Sequence, residues 1–150
     1  MTATIRSMAD LHATAAARLR ADGQRYTANR RALIEVLDAS DRPLSIPQLL
    51  EGRRDLALSS AYRNLAVLER SGVVRRIVTS DEFARYELAE DLTEHHHHLI
   101  CSSCGSVGDF TVPPRVEADI ERILERVAST TGFRAVGHRL DLVGTCATCS

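Results

Sequence analysis

Four cysteines stand as two pairs, Cys101-x-x-Cys104 and Cys146-x-x-Cys149, with 41 residues between the pairs. Thiols at this spacing reach one ion from a single short loop, so each pair suits one edge of a tetrahedral Zn²⁺ site. A redox Cys-x-x-Cys explains one pair and leaves the other without a purpose. Two disulfides would require an oxidising compartment. The spacing predicts a structural zinc on Cys101, Cys104, Cys146 and Cys149.

The run His95-His96-His97-His98 stands just ahead of the first pair. An expression tag would be terminal and longer. In extended chain successive side chains point to opposite faces. His95 and His97 then share one face, and His96 and His98 the other. Each face carries half of a tetrahedral site and can be completed by Glu87, Glu90, Asp109, Glu117, Glu121 or His138. Imidazole with carboxylate suits Zn²⁺ first, and Fe²⁺, Ni²⁺ or Mn²⁺ as well.

These donors need elements to position them. Asp10 to Ala21 reads as a helix stopped by Gly23, and Thr27 can cap a second helix with Leu33, Ile34, Val36 and Leu37 on one stripe. Ser45-Ile46-Pro47-Gln48 has capping-box spacing and starts a third helix running to about Arg53. A fourth starts at Leu58-Ser59-Ser60, with Ala61, Leu65 and Leu68 inward and Arg63, Asn64 and Val67 outward, and ends at Gly72. Val73–Thr79 and Phe83–Leu88 read as strands joined by a Ser80-Asp81-Glu82 turn. Helices followed by a β-hairpin are the order of a winged helix-turn-helix.

Ala89–Glu94 reads as an acidic hinge. Beyond it come strands at His95–Ile100 and Val107–Val112, a helix over Arg115–Thr130 ended by Gly132, and a strand over Ala135–Val143. The expected fold is α+β: a winged-helix domain over 1–88, a hinge over 89–94, and a small α/β metal-binding dimerisation domain over 95–150.

The chain has 150 residues and a net charge of −1, with 19 basic residues, all of them Arg. Residues 1–80 carry a balance of +5 and residues 81–150 a balance of −6. A basic front half suits a polyanion and an acidic back half suits cations. No stretch approaches the ~18 apolar residues of a membrane span. Met1–Ala9 lacks the apolar core of a secretory signal, so a cytoplasmic protein without a membrane partner is expected.

Ser59-Ser60-Ala61-Tyr62-Arg63-Asn64-Leu65 with Leu68 and Gly72-Val73, the His95–Cys104 block with Gly105, and Gly144-Thr145-Cys146-x-x-Cys149 together resemble the ferric uptake regulator family of bacterial metal-dependent repressors. The likeness spans about Gly23 to Cys149. It implies a homodimer that binds palindromic double-stranded operator DNA when loaded with metal, and takes no small-molecule substrate. It also implies a four-cysteine structural Zn²⁺ and one or two regulatory divalent-metal sites. By position, Glu87, His96, His98 and Asp109 match the hinge site. His95, His97, Glu121 and His138 match a second site. Two departures leave Glu90 as an alternative to Glu87, and Glu117 as an alternative to Glu121: a longer linker and one extra helical turn. Where many iron-type members carry a histidine ahead of the third helix, this chain has Arg42-Pro43.

Zinc is the first expectation for the regulatory metal, as in zinc uptake regulators, and iron or peroxide sensing the second. On DNA, Arg63 is expected at base edges. Tyr62 and Asn64 lie beside it, Ser59 and Ser60 sit at phosphate, and Arg18, Arg20, Arg25 and Arg30 along the backbone. A zinc hydrolase is disfavoured because there is no His-Glu-x-x-His helix. A zinc-ribbon interaction module without DNA binding is the more distant rival.

Overall fold

A computed structural model of the chain describes residues 7–79 and 83–150. The Ser80-Asp81-Glu82 turn lies outside the described residues.

Helix α1 (Met8–Ala21) starts where the Ser7 side chain accepts from the Asp10 N–H, and α2 (Ala28–Ala39) where Thr27 accepts from Arg30. These side-chain oxygens satisfy N–H groups that have no partner inside the helix. After the two-residue strand β1 (Leu44–Ser45), Ser45 and Gln48 form a full capping box on α3 (Ile46–Leu50). That helix is shorter than the expected run to Arg53, because the chain turns at Gly52 with φ +71°, a backbone conformation that favours glycine. Helix α4 (Leu58–Arg70) follows, then the wing strands β2 (Val74–Ile77) and β3 (Arg85–Leu88).

The wing sheet has the order β1-β3-β2, both pairings antiparallel. Strand β1 was not expected from sequence, since two residues carry no periodicity. Leu11, Ala15, Leu19, Leu33, Ile34, Leu49, Leu65, Leu68 and Val73 are at most 3% exposed, and they close one apolar core with the wing's Val74 and Leu88. Val67, expected to face outward, belongs to this core. Helix α4 packs against α2 and also against β2, so its buried arc is wider than one stripe.

The hinge is a 3₁₀ turn over Glu90–Leu92, with Leu92 reaching back into the core. The second sheet has β4 (His97–Cys101) at its centre, antiparallel to β5 (Val107–Phe110) and parallel to β6 (Asp141–Gly144). Helix α5 (Pro114–Thr131) connects β5 to β6 and ends at Gly132, φ +67°. The last strand is shorter than the expected Ala135–Val143. It pairs with β4 only from Asp141, and the chain before it departs from the sheet, bringing His138 to α5.

The two halves are buried very differently. In residues 95–150 the buried side chains are His97, His98, Cys101 and Val107. Helix α5 has no buried residue at all, and Val116, Ile123, Leu124 and Val127 on it are exposed, as are Leu142 and Val143 on β6. Replacing Leu33 by Ala should therefore destabilise the front half by about 2–5 kcal/mol. The check is a lowered denaturation midpoint with the zinc content unchanged.

Candidate metal centres

The described residues gather three clusters of possible ligands, each with its donor atoms within 4.8 Å of one another. The first contains Cys101, Cys104, Cys146 and Cys149. Strand β4 ends at Cys101, and the parallel partner β6 ends just before Cys146, so the ladder itself brings the pairs together. No disulfide joins them, and Cys104 Sγ lies 3.8 Å from Cys146 Sγ. The backbone N–H groups of Cys104 and Cys146 point at Cys101 Sγ, at 3.5 and 3.3 Å. Those two donors lower the Cys101 thiol to about 6. Hydrogen bonding to neighbouring thiols, Cys146 first, pushes Cys149 up to about 12. Four unbonded sulphurs around one point, with N–H donors ready for a thiolate, fit a tetrahedral soft-ligand ion.

The second cluster joins the two halves of the molecule. Glu87 projects from β3, the central strand of the wing, while His96 and His98 come from the approach to β4 and from β4 itself. Asp109 stands opposite His98 in the β4–β5 register. Glu87 Oε2 lies 2.9 Å from His96 Nε2 and 3.1 Å from His98 Nε2, and Asp109 is 3.8 Å from both rings. Burial opposes a charge on Glu87, yet hydrogen bonds from His96, His98 and Arg75 outweigh it and hold its carboxyl well below the usual range. The same bond to Glu87 raises His96 to about 9. Burial pushes Asp109 upward. A cleft of about 200 Å³ opens beside this cluster, and Arg42 lines it together with Glu87, His96 and Asp109.

The third cluster contains His95, His97, Glu117 and His138. The first turn of α5 delivers Glu117, whose Oε2 lies 2.8 Å from His97 Nε2. Its Oε1 lies 3.0 Å from His95 Nε2 and 2.7 Å from His138 Nε2. Glu121, expected here, is outside the cluster and lines the adjoining hollow with Glu90 and His138. One helical turn separates the two glutamates, and the helix begins early enough at Pro114 to bring the first of them over the histidines. Glu90 likewise falls outside the hinge cluster and is hydrogen-bonded to His95 Nδ1.

Two observations test whether divalent ions fit these donors. Glu117 Oε1 and His138 Nε2 are buried and close, yet neither has a hydrogen-bond partner. Buried polar atoms left without a hydrogen bond are ones that a bound ion would satisfy. Second, three imidazoles turn Nε2 into their cluster and give Nδ1 a separate acceptor: Glu90 for His95, the Glu94 carbonyl at 2.8 Å for His96, and Asp141 at 3.4 Å for His98. Metal-ligating histidines are ordinarily oriented this way. The donors fit.

Sequence reasoning missed Arg75 and Asp141. Arg75 stands opposite Glu87 in the hairpin register, so counting back from the wing turn would have found it. Asp141 needs the parallel β4–β6 register, which leaves no mark in the sequence.

Ser59, Tyr62 and Arg63 of α4 are exposed, Tyr62 at 53%. Asn64 accepts from Arg30 Nε at 3.0 Å and donates to Ser60 Oγ at 3.1 Å. Arg20 and Arg25 are exposed. Arg18 and Arg30, both expected along a DNA backbone, also have partners within the chain: Arg18 bonds the Gly72 carbonyl and pairs with Asp91, and Arg30 bonds the Arg25 carbonyl at 2.5 Å.

A winged helix-turn-helix followed by an α/β unit that gathers donor clusters defines a metal-binding, DNA-binding regulator. The chain belongs to the ferric uptake regulator family, whose sequence profile matches residues 21–143. Members of this family are metal-responsive transcriptional repressors that bind DNA and dimerise. The chain is 32% identical over 136 residues to the peroxide operon regulator of Bacillus subtilis, covering 88% of each. It is 33% identical over 126 residues to the ferric uptake regulation protein of Rhizobium leguminosarum, covering 81% of this chain and 84% of that one. The solved ferric uptake regulator of Helicobacter pylori, described as having three functional metal-binding sites, superposes with a TM-score of 0.74 at 25% identity. That match covers 95% of this chain and 93% of the other.

A structural metal contributes on the order of 10 kcal/mol to folding. Cys101→Ser should therefore lose one equivalent of bound zinc and unfold or monomerise the protein, as read by metal analysis and sedimentation. A stable zinc-free dimer of that variant would remove the cysteines from the structural role.

Proposed function

We propose that this chain is a repressor that binds a palindromic operator as a homodimer when its regulatory sites are loaded, most readily with zinc. The single observation that carries the reading is the hinge cluster, where one carboxylate of the wing meets two imidazoles and a carboxylate of the following sheet. In this reading residues 1–88 form the DNA-binding domain, 89–94 the hinge and 95–150 the dimerisation domain. Cys101, Cys104, Cys146 and Cys149 hold a permanent Zn²⁺. Glu87, His96, His98 and Asp109 form the sensing site, and His95, His97, Glu117 and His138 the second one.

A divalent ion at the hinge would supply a Lewis-acid centre for oxygen and nitrogen donors from both domains. The chain's own part follows from where those donors sit. Glu87 moves with the wing, and His96, His98 and Asp109 move with the second sheet. Their convergence is compatible with only a narrow range of tilt between the domains. Loading shifts the balance only by its difference in affinity between tilts, ordinarily ~1–3 kcal/mol. The exposed apolar faces of α5 and β6 support pairing with a second copy, since a chain lacking its own cover there gains by burying them. A fixed tilt in a dimer sets the spacing of two α4 helices for successive major grooves. Arg63 then reads base edges, with Tyr62, Ser59, Ser60, Asn64, Arg20, Arg25 and Arg30 around it.

Imidazole-rich donor sets favour zinc. Iron or peroxide sensing is the second reading, favoured by the two oxygen donors at the hinge cluster and by the relatives named above.

The decisive experiment is operator binding at buffered free Zn²⁺, Fe²⁺, Mn²⁺ and Ni²⁺. His96→Ala should abolish the metal response while the structural zinc stays bound. A normal response from that variant would refute the hinge assignment. Arg63→Ala should weaken specific binding by about 1–3 kcal/mol, measured as a gel-shift midpoint, with metal uptake unaltered.

A further inference from the structure

The second and third clusters are joined by a file of ionic and hydrogen-bonded side chains. Glu87 turns Oε2 toward His96 and His98, and Oε1 toward Arg75, whose Nε donates to it at 2.9 Å. The same guanidinium places Nη1 3.8 Å from Glu90 Oε2. Glu90 Oε1 is held by His95 Nδ1, and His95 Nε2 faces Glu117 in the third cluster. The Arg75 side chain is only 20% exposed, so solvent screens its end of the file least; Glu90 and His95, at 32% and 35%, are more open to water.

We propose that Arg75 couples the two clusters negatively: uptake of a cation at Glu87, His96, His98 and Asp109 weakens uptake at His95, His97, Glu117 and His138. The inference rests on reading both clusters as metal sites. A cation on Glu87 Oε2 draws charge from the carboxylate and loosens its hold on Arg75. The guanidinium cannot shed its proton, and Glu90 is the next anion within its reach. Glu90 then divides its charge between Arg75 and His95. A carboxylate on the far nitrogen of a ligating histidine strengthens that ligand, and its loss costs 10–100-fold in metal affinity. Partial loss corresponds to roughly five- to tenfold. Direct repulsion between two dications has the same sign but does not pass through Arg75.

The test uses the full chain with its four-cysteine site filled, titrated with Zn²⁺ against a chromophoric chelator. Affinity at the third cluster is compared with the hinge cluster intact and with it disabled by His96→Ala. The same comparison is then made in an Arg75→Gln background. The expected result is a roughly five- to tenfold gain on disabling the hinge cluster when Arg75 is present, and only the small residual gain due to direct repulsion with Arg75→Gln. Glu90→Gln should likewise cut the gain to that small remainder, while also lowering the third cluster's own affinity. A gain undiminished by Arg75→Gln, or no gain with Arg75 in place, overturns the coupling. Failure of the unmodified chain to take up zinc beyond the four-cysteine site overturns the reading of the clusters themselves, and the coupling with it.

Discussion

A buried carboxylate must find compensation, and in this protein the compensation comes from across a domain boundary. Glu87 is 7% exposed on the central strand of the wing. Leaving such a charge unpaired in a low-dielectric setting is prohibitive. Its partners are Arg75 from the neighbouring wing strand and His96 and His98 from beyond the hinge. The relation between the two halves of the molecule therefore depends on the electrostatics of one side chain.

The distribution of apolar burial gives that dependence its leverage. The front half is held by a continuous Leu/Ile/Val core. The back half buries two histidines, one cysteine and one valine, and leaves an amphipathic helix uncovered. Too little apolar surface is buried there to offset the entropy of ordering some fifty residues. Ligand clusters and a second copy of the chain are the available sources of the missing stability.

The sequence by itself determined the winged-helix order, the gathering of four cysteines and the sorting of four histidines onto two faces. Each of these depends on local geometry: caps and turns of the helices, the reach of a Cys-x-x-Cys loop, and the two-residue period of extended chain. Tertiary structure alone decided which carboxylate completes each cluster. Glu117 rather than Glu121 meets the imidazoles, Glu90 supports His95 instead of joining Glu87, and Asp141 stands behind His98. Those choices depend on where α5 begins over the sheet and on a parallel register between β4 and β6. Both are set by contacts between segments distant in the chain. A shift of one helical turn or one strand residue changes the chemistry while leaving the hydrophobic pattern unaltered.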